Sequence, residues 1–359
     1  MTHMAIGDYV YQRMFLKKLQ ETYPHLQIDL WYDNCVHEES GWNLRRSQTL
    51  TEWFKEEPFL HNLYPVAASP EEREALITRA QKESYDIIVF SVDVWSEYYA
   101  AVARKISQKA YVVGTLIKWK RNFFQKFLAF SRCNKFFIPR YSSKKNKNGH
   151  ITEMYQKRFE RLVGLKTTLD EIKPHLTVPN YWQERMQVWL AEEKVKHQAL
   201  QDTILINYLS TNEQRNWSFE QARDLIIALN KRHPRWTYVL TLAPQVLPEV
   251  LPKLNDTTLQ GIHVIPFSAE ENFYQLPALV QQCNCVISVE TALMHLASAL
   301  SVPQIALVRG QARIWAPLAN EKTHILFTKE RHSPISQITV NEVMECYNLR
   351  IYNNCMKIL

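Results

Sequence analysis

Apolar residues along this chain follow two spacings. One is the short unbroken run: LQIDLWY (26–32), YDIIVFS (85–91) and AYVVG (110–114), then TILINY (203–208), WTYVLTL (236–242), HVIPF (263–267), CVISV (285–289) and PQIALV (303–308). Runs of five or six without polar alternation suit parallel strands covered on both faces. The other is the helical stripe. Between 9 and 23, Tyr11, Phe15, Leu19 and Tyr23 recur every fourth residue beside Leu16, while Arg13, Lys17 and Glu21 take the other side. That predicts a surface helix with an inner and an outer face. Segments 70–82, 94–107, 151–163, 218–231 and 271–282 also read as helices, and Gly164 stands where a C-cap belongs.

Strands separated by helices of this length imply right-handed βαβ units. The expected class is therefore α/β, with two Rossmann-like, doubly wound parallel-sheet domains facing each other across a central cleft. A length of 359 residues suits two such domains. The boundaries are placed at 1–165 and 203–335. Residues 166–202, with Pro174, Pro179 and the helical run YWQERMQVWLAEEKVK, form the connection, and 336–359 form a C-terminal helical segment. Residues 141–149, YSSKKNKNG, read as an exposed loop.

Composition narrows the picture. With 46% hydrophobic and 12% aromatic residues the chain can bury large cores, and no apolar stretch reaches the roughly 18–20 residues that span a bilayer. No basic-then-apolar leader opens it, so a cytoplasmic location is expected. Six scattered cysteines without CxxC spacing argue against a disulfide framework and a zinc site, and Cys283 and Cys285 read as small core residues. The net charge of +7 is uneven: from Lys118 to Arg161 thirteen Lys and Arg face two Glu. Such a block attracts nucleic acid, an anionic membrane face or a phosphorylated substrate.

Three short stretches carry candidate chemistry. CVISV is followed by a helix with Leu293, Leu296, Ala297 and Leu300 on one face, so Glu290-Thr291-Ala292 lies at the carboxyl end of a strand, where open sheets bind ligands. Backbone N–H groups of 291–294 and the helix dipole make an anion site there; Thr291 can cap the helix, and His295 lies on the same face one turn later. From this stretch alone, a capped helix with a satisfied histidine is the more frequent reading than a ligand site. MTHMAIGDYV puts Gly7-Asp8 at the mouth of the first helix, where Asp8 is either a carboxylate at the sheet edge or an N-cap. Only six residues precede Gly7, so the strand before it is expected to be very short or to begin upstream. In STNEQRNW, Thr211 and Arg215 follow the strand TILINY; Arg215 taken alone is an exposed loop charge.

Taken together, GD at the first loop, STNEQRNW after the first strand of the second half, the block ETALMHLASALSVP and the near-terminal ITVNEVMECYN resemble the ADP-heptose:lipopolysaccharide heptosyltransferases. These are inverting GT-B enzymes of glycosyltransferase family 9. The resemblance covers almost the whole chain, since YPHLQIDL, YDIIVFS and HITEMYQKRFERLVGL also follow in the family's order. It implies heptose transfer from ADP-heptose to a lipopolysaccharide core acceptor at the inner face of the cytoplasmic membrane, with neither metal nor cofactor. It further implies that Asp8 is the general base and that Arg215 neutralises the leaving diphosphate. Thr211, Glu290, Thr291, Ala292 and His295 would bind the donor beside Arg215, while Lys118, Lys120 and Arg121 of the basic block would meet the acceptor. Two departures stand out: the family's usual Asp-Thr-Gly is Glu290-Thr291-Ala292 here, and its common lysine is Arg215. The alternatives are a GT-B enzyme using another nucleotide-sugar and a GT-B-like binding protein without turnover. A nucleic-acid binder ranks last, because the basic block lacks interleaved stacking residues.

Overall fold

The computed structural model describes residues 1–2, 5–33, 41–93, 95–116, 130–138, 149–196 and 202–352. They form two compact units, Met1–Lys173 and Pro174–Leu359.

In the first unit the elements run α1 (Ile6–Thr22), β1 (Ile28–Trp31), α2 (Gly41–Lys55), β2 (Leu60–Tyr64), α3 (Pro70–Gln81), β3 (Ile87–Phe90), α4 (Ser96–Ile106), β4 (Tyr111–Thr115), β5 (Lys135–Phe137) and α5 (Ile151–Val163). β1 pairs with β2, and β3, β4 and β5 pair in that order, all parallel. Met1 and Thr2 connect the two sets. Thr2 N–H donates to the Trp31 carbonyl at 2.9 Å, Ser91 N–H donates to the Met1 carbonyl at 3.0 Å, and Thr2 bridges Ser91 in parallel sense. A two-residue stub thus fills the central place in the order β2-β1-stub-β3-β4-β5, and the doubly wound pattern is kept.

The side chains explain where the elements begin and end. Ser69 accepts from Glu72 N–H and Pro70 takes the first helical position of α3, as a helix start requires. Gly164 ends α5 at φ +76°, with its N–H on the Glu160 carbonyl. The two-faced reading of α1 needs correction, because Arg13 is buried against Glu57 while Tyr23 is half exposed. α2, which no stripe predicted, is the reason: Tyr9 of α1 meets Trp53 and Phe54 edge-on at 4.8 and 4.5 Å, closing off the face expected to see water. β2 and β5 were likewise not anticipated. Most of the 141–149 loop lies outside the described residues.

The second unit begins with α6 (Asn180–Lys196) and continues β6 (Thr203–Asn207), α7 (Phe219–Arg232), β7 (Thr237–Thr241), α8 (Leu247–Val250), β8 (His263–Phe267), α9 (Gln275–Gln281), β9 (Cys285–Val289), α10 (Ala292–Ala299), β10 (Gln304–Val308), β11 (Thr323–Phe327) and α11 (Val340–Cys346). Its six strands are all parallel in the order β11-β10-β9-β6-β7-β8, the 3-2-1-4-5-6 arrangement of a dinucleotide fold. Alternate residues of one strand feed two cores. Ile305 and Leu307 of β10 join Ile204, Ile206 and Ile287 on one face, and Ala306 and Val308 pack with Met294 on the other. Burial on both faces is what the unbroken apolar runs required. Cys283 and Cys285 are buried, and burial pushes the Cys283 thiol up to about 12.

Candidate functional site

In the second unit, β6 and β9 lie side by side although their connections leave in opposite directions, so a crevice opens at their carboxyl ends. Asn207 closes β6, and Thr291 caps α10 just after β9. The Thr291 hydroxyl accepts from Leu293 N–H at 3.3 Å and donates to Asn207 Oδ1 at 3.2 Å, with Ser288 Oγ 3.3 Å away. This ties the helix start to the neighbouring strand across the switch point. Ala292 opens α10, half-buried, and His295 lies one turn along it, buried. The first N–H groups of a helix have no acceptor within it, so the mouth of α10 presents positive potential at the crevice.

The loop leaving β6 is shaped by its own side chains. Asn216 Oδ1 accepts from Ser210 N–H at 2.6 Å, Ser210 Oγ accepts from Asn212 N–H at 3.1 Å, and Asn212 Oδ1 caps the short turn Glu213–Arg215 through Gln214 N–H at 3.0 Å. Trp217 then buries its ring, and the reciprocal Ser218–Gln221 cap starts α7. Thr211 is left exposed at the tip, and Arg215 is aimed back at the strand ends.

There Glu290 meets two guanidinium groups. Arg309, the residue after β10, donates to it from Nε at 3.1 Å and from a terminal nitrogen at 3.0 Å, while its backbone N–H donates at 3.2 Å. Its other terminal nitrogen reaches Gln214 Oε1 at 3.4 Å. Arg215 Nε stands 3.3 Å from the same carboxylate as an ion pair. Glu290 and Arg309 are buried and the Arg215 side chain is 38% exposed, so the surplus positive charge of the cluster meets solvent at Arg215. No motif pointed to Arg309 or Asn207. The signal available was positional: each is a polar residue at the carboxyl end of an apolar run whose strand flanks β9.

In the first unit, Asp8 is the third residue of α1, not its cap, which is Ala5. Its carboxylate accepts from Ala5 N–H at 2.8 Å and from the Tyr155 hydroxyl of α5 at 3.2 Å. Burial raises its pKa above the ordinary aspartate value; those two donors oppose the shift, the charge of Asp93 adds to it, and Arg46 opposes it. Tyr155 is buried beside this carboxylate and its pKa is driven well above the ordinary tyrosine value, so it stays a donor. Asp93 is itself paired with buried Arg158. Lys118, Lys120 and Arg121 lie outside the described residues.

A groove of about 290 Å³ also opens in the second unit at the end of β8, between Trp189 of α6 and Leu247, with Phe267 and Ser268 in its floor. The Trp189 and Phe267 rings stand 5.1 Å apart, and the Arg185–Glu271 pair forms part of its lining.

A parallel 3-2-1-4-5-6 sheet with a cationic switch point in the second unit, and the parallel sets β1-β2 and β3-β4-β5 bridged by Met1 and Thr2 in the first, define a Rossmann-like protein of the GT-B class. Residues 134–344 match the model of glycosyltransferase family 9 (heptosyltransferase), and the chain belongs to that family of glycosyltransferases. Solved structures agree on the fold. A glycosyl transferase of family 9 from Veillonella parvula superposes with a TM-score of 0.74 at 18% identity, covering 98% of this chain and 96% of that one. The ADP-heptose lps heptosyltransferase II of E. coli gives 0.70 at 16%, covering 98% of both. The E. coli heptosyltransferase WaaC, solved with ADP-2-deoxy-2-fluoro heptose, gives 0.58 at 17%, covering 97% and 99%. No curated protein matches the chain. Among the described residues no helix is long and apolar enough to cross a membrane.

Proposed function

We propose that this glycosyltransferase moves a heptose from ADP-heptose to a lipopolysaccharide core acceptor, with inversion, at the inner face of the cytoplasmic membrane. The donor class is supported by family membership and by the related enzyme crystallised with an ADP-heptose analogue. The observation that carries the reading is the switch-point cluster: two guanidinium groups share one carboxylate beside the start of α10, which suits a diphosphate.

In the reaction the acceptor hydroxyl oxygen bonds to the anomeric carbon as the bond from that carbon to the diphosphate oxygen breaks. Asp8 takes the hydroxyl proton, and ADP leaves with the bonding electron pair. A base must be unprotonated to act, and a carboxylate raised by burial is a stronger base than an exposed one. Arg215 and the α10 amides meet the charge that grows on the leaving oxygen. Thr211, Thr291, Ala292 and His295 are assigned to the donor with them, and Glu290 through the arginines it holds. The basic block containing Lys118, Lys120 and Arg121 is assigned to the anionic acceptor.

The test is ADP release from ADP-heptose, with and without truncated lipopolysaccharide. Acceptor-dependent release that disappears in Asp8→Ala supports the donor, the acceptor and the base together. Release from another nucleotide-sugar alone replaces the donor, and binding without turnover replaces the enzyme by a binding protein.

A further inference from the structure

Arg309 stands directly after β10 and belongs to no motif in the sequence. Its side chain is 8% exposed, and its fork closes on both oxygens of Glu290 while its backbone N–H adds a third bond. Glu290 is thereby satisfied before Arg215 is counted. Arg215 Nε reaches the carboxylate at 3.3 Å but makes no hydrogen bond, so it is held by charge and not by a fork. A carboxylate freed of Arg309 would be a better partner for Arg215 than the one present, because a bidentate pair is the preferred geometry of arginine with a carboxylate.

We infer that Arg309 is a positioning residue of the transfer reaction. It occupies Glu290 so that this carboxylate anchors Arg215 by charge alone, leaving the Arg215 guanidinium available to a diphosphate. The inference rests on the donor reading given above. Removing Arg309 lets Glu290 fork onto Arg215 and neutralise it, and diphosphate affinity falls although Arg215 is intact. Removing the Glu290 charge as well releases Arg215 again.

The experiment titrates the full chain with inorganic pyrophosphate by calorimetry, which makes the answer independent of nucleobase and sugar, and records the melting temperature of every variant. Arg215→Gln is expected to weaken binding roughly tenfold, Arg309→Met by a similar factor, and the two together by little more than either, since both silence one cation. Arg309→Lys, which keeps charge without the fork, should fall between wild type and Arg309→Met. The distinguishing variant is Arg309→Met with Glu290→Gln, which removes both buried charges and should bind more tightly than Arg309→Met alone. A merely structural arginine would show no such rescue.

Unchanged affinity in Arg309→Met overturns the inference, and so do losses that add with those of Arg215→Gln, or a double variant weaker than Arg309→Met. If Arg309→Met does not fold, the comparison of Arg309→Lys with Arg309→Lys/Glu290→Gln decides in the same way. Failure of wild type to bind pyrophosphate also overturns it. Arg215-dependent pyrophosphate binding with the rescue intact, but without ADP-heptose turnover, upholds Arg309 while refuting the donor.

Discussion

Tyr155 of α5 donates its hydroxyl to Asp8 Oδ1 at 3.2 Å, across 147 residues of chain. The bond stabilises the charged carboxylate, whereas burial opposes that charge and prevails. The base form of Asp8 therefore accumulates only above the ordinary aspartate range of about 4. kcat/KM is expected to rise with pH through a limb above that range. Tyr155→Phe removes a group that lowers the pKa and should move the limb to higher pH; Asp93→Asn removes one that raises it and should move the limb lower. A pH–rate profile of the three proteins checks both signs.

Asp8→Asn keeps the size of the side chain and removes its basicity. Transfer should fall by about 10²–10⁴-fold, the usual contribution of a general base, with ADP affinity unchanged. Steady-state rates beside an ADP titration separate the two.

Arg215→Ala removes the more exposed cation of the switch point. Loss of one preorganised stabiliser of a leaving group is expected to lower kcat by about 10²–10³-fold, more than it raises the donor KM. Arg215→Lys should recover part of the rate.

Gly114 of β4 sits in register with Phe90 of β3, and a Cβ at 114 would lie 1.9 Å from the fully buried Phe90 ring. Gly114→Ala should destabilise the protein by about 1–3 kcal/mol through overpacking, read as a shift in denaturant midpoint. Gly114→Ala with Phe90→Leu should recover part of the loss.

His233 packs flat on Trp236 at 3.8 Å and pairs through Nε2 with the Tyr347 hydroxyl at 3.0 Å. Burial, then the charge of Arg232, lowers its pKa below 6.5. Below about pH 6.5 the unfolded chain binds this proton more readily than the folded one, so stability falls as pH falls, by at most about 1.4 kcal/mol per pH unit from one group. The difference in unfolding free energy between pH 7.5 and 5.5 should be smaller in His233→Gln than in the native protein.

Much of the second unit was legible because β6–β10 are covered on both faces and their apolar runs say so directly. β11 escaped notice: THILF is an edge strand, half-buried along most of its length, and a histidine in second place interrupts its apolar run. In the first unit LHNLY carries polar residues and KFF is three residues long, so neither run stands out. α1 misled because one helix can be covered by two neighbours, and its periodicity does not say by which. At the candidate site the cap at Thr291 could be read from local rules. Arg309 could not, since its meaning comes from the parallel register that sets Leu307 beside Val289 and so brings position 309 to the Glu290 carboxylate.

The shared carboxylate also constrains how this protein can diverge. Positions 290 and 309, with 215 at their edge, are separated in the gene but form one electrostatic unit, so a single replacement at 290 or at 309 leaves a buried charge poorly matched. Viable descendants should therefore change these codons together: where 309 loses its cation, 290 should carry a shorter or neutral side chain, and the pair should travel through a lineage as a linked trait.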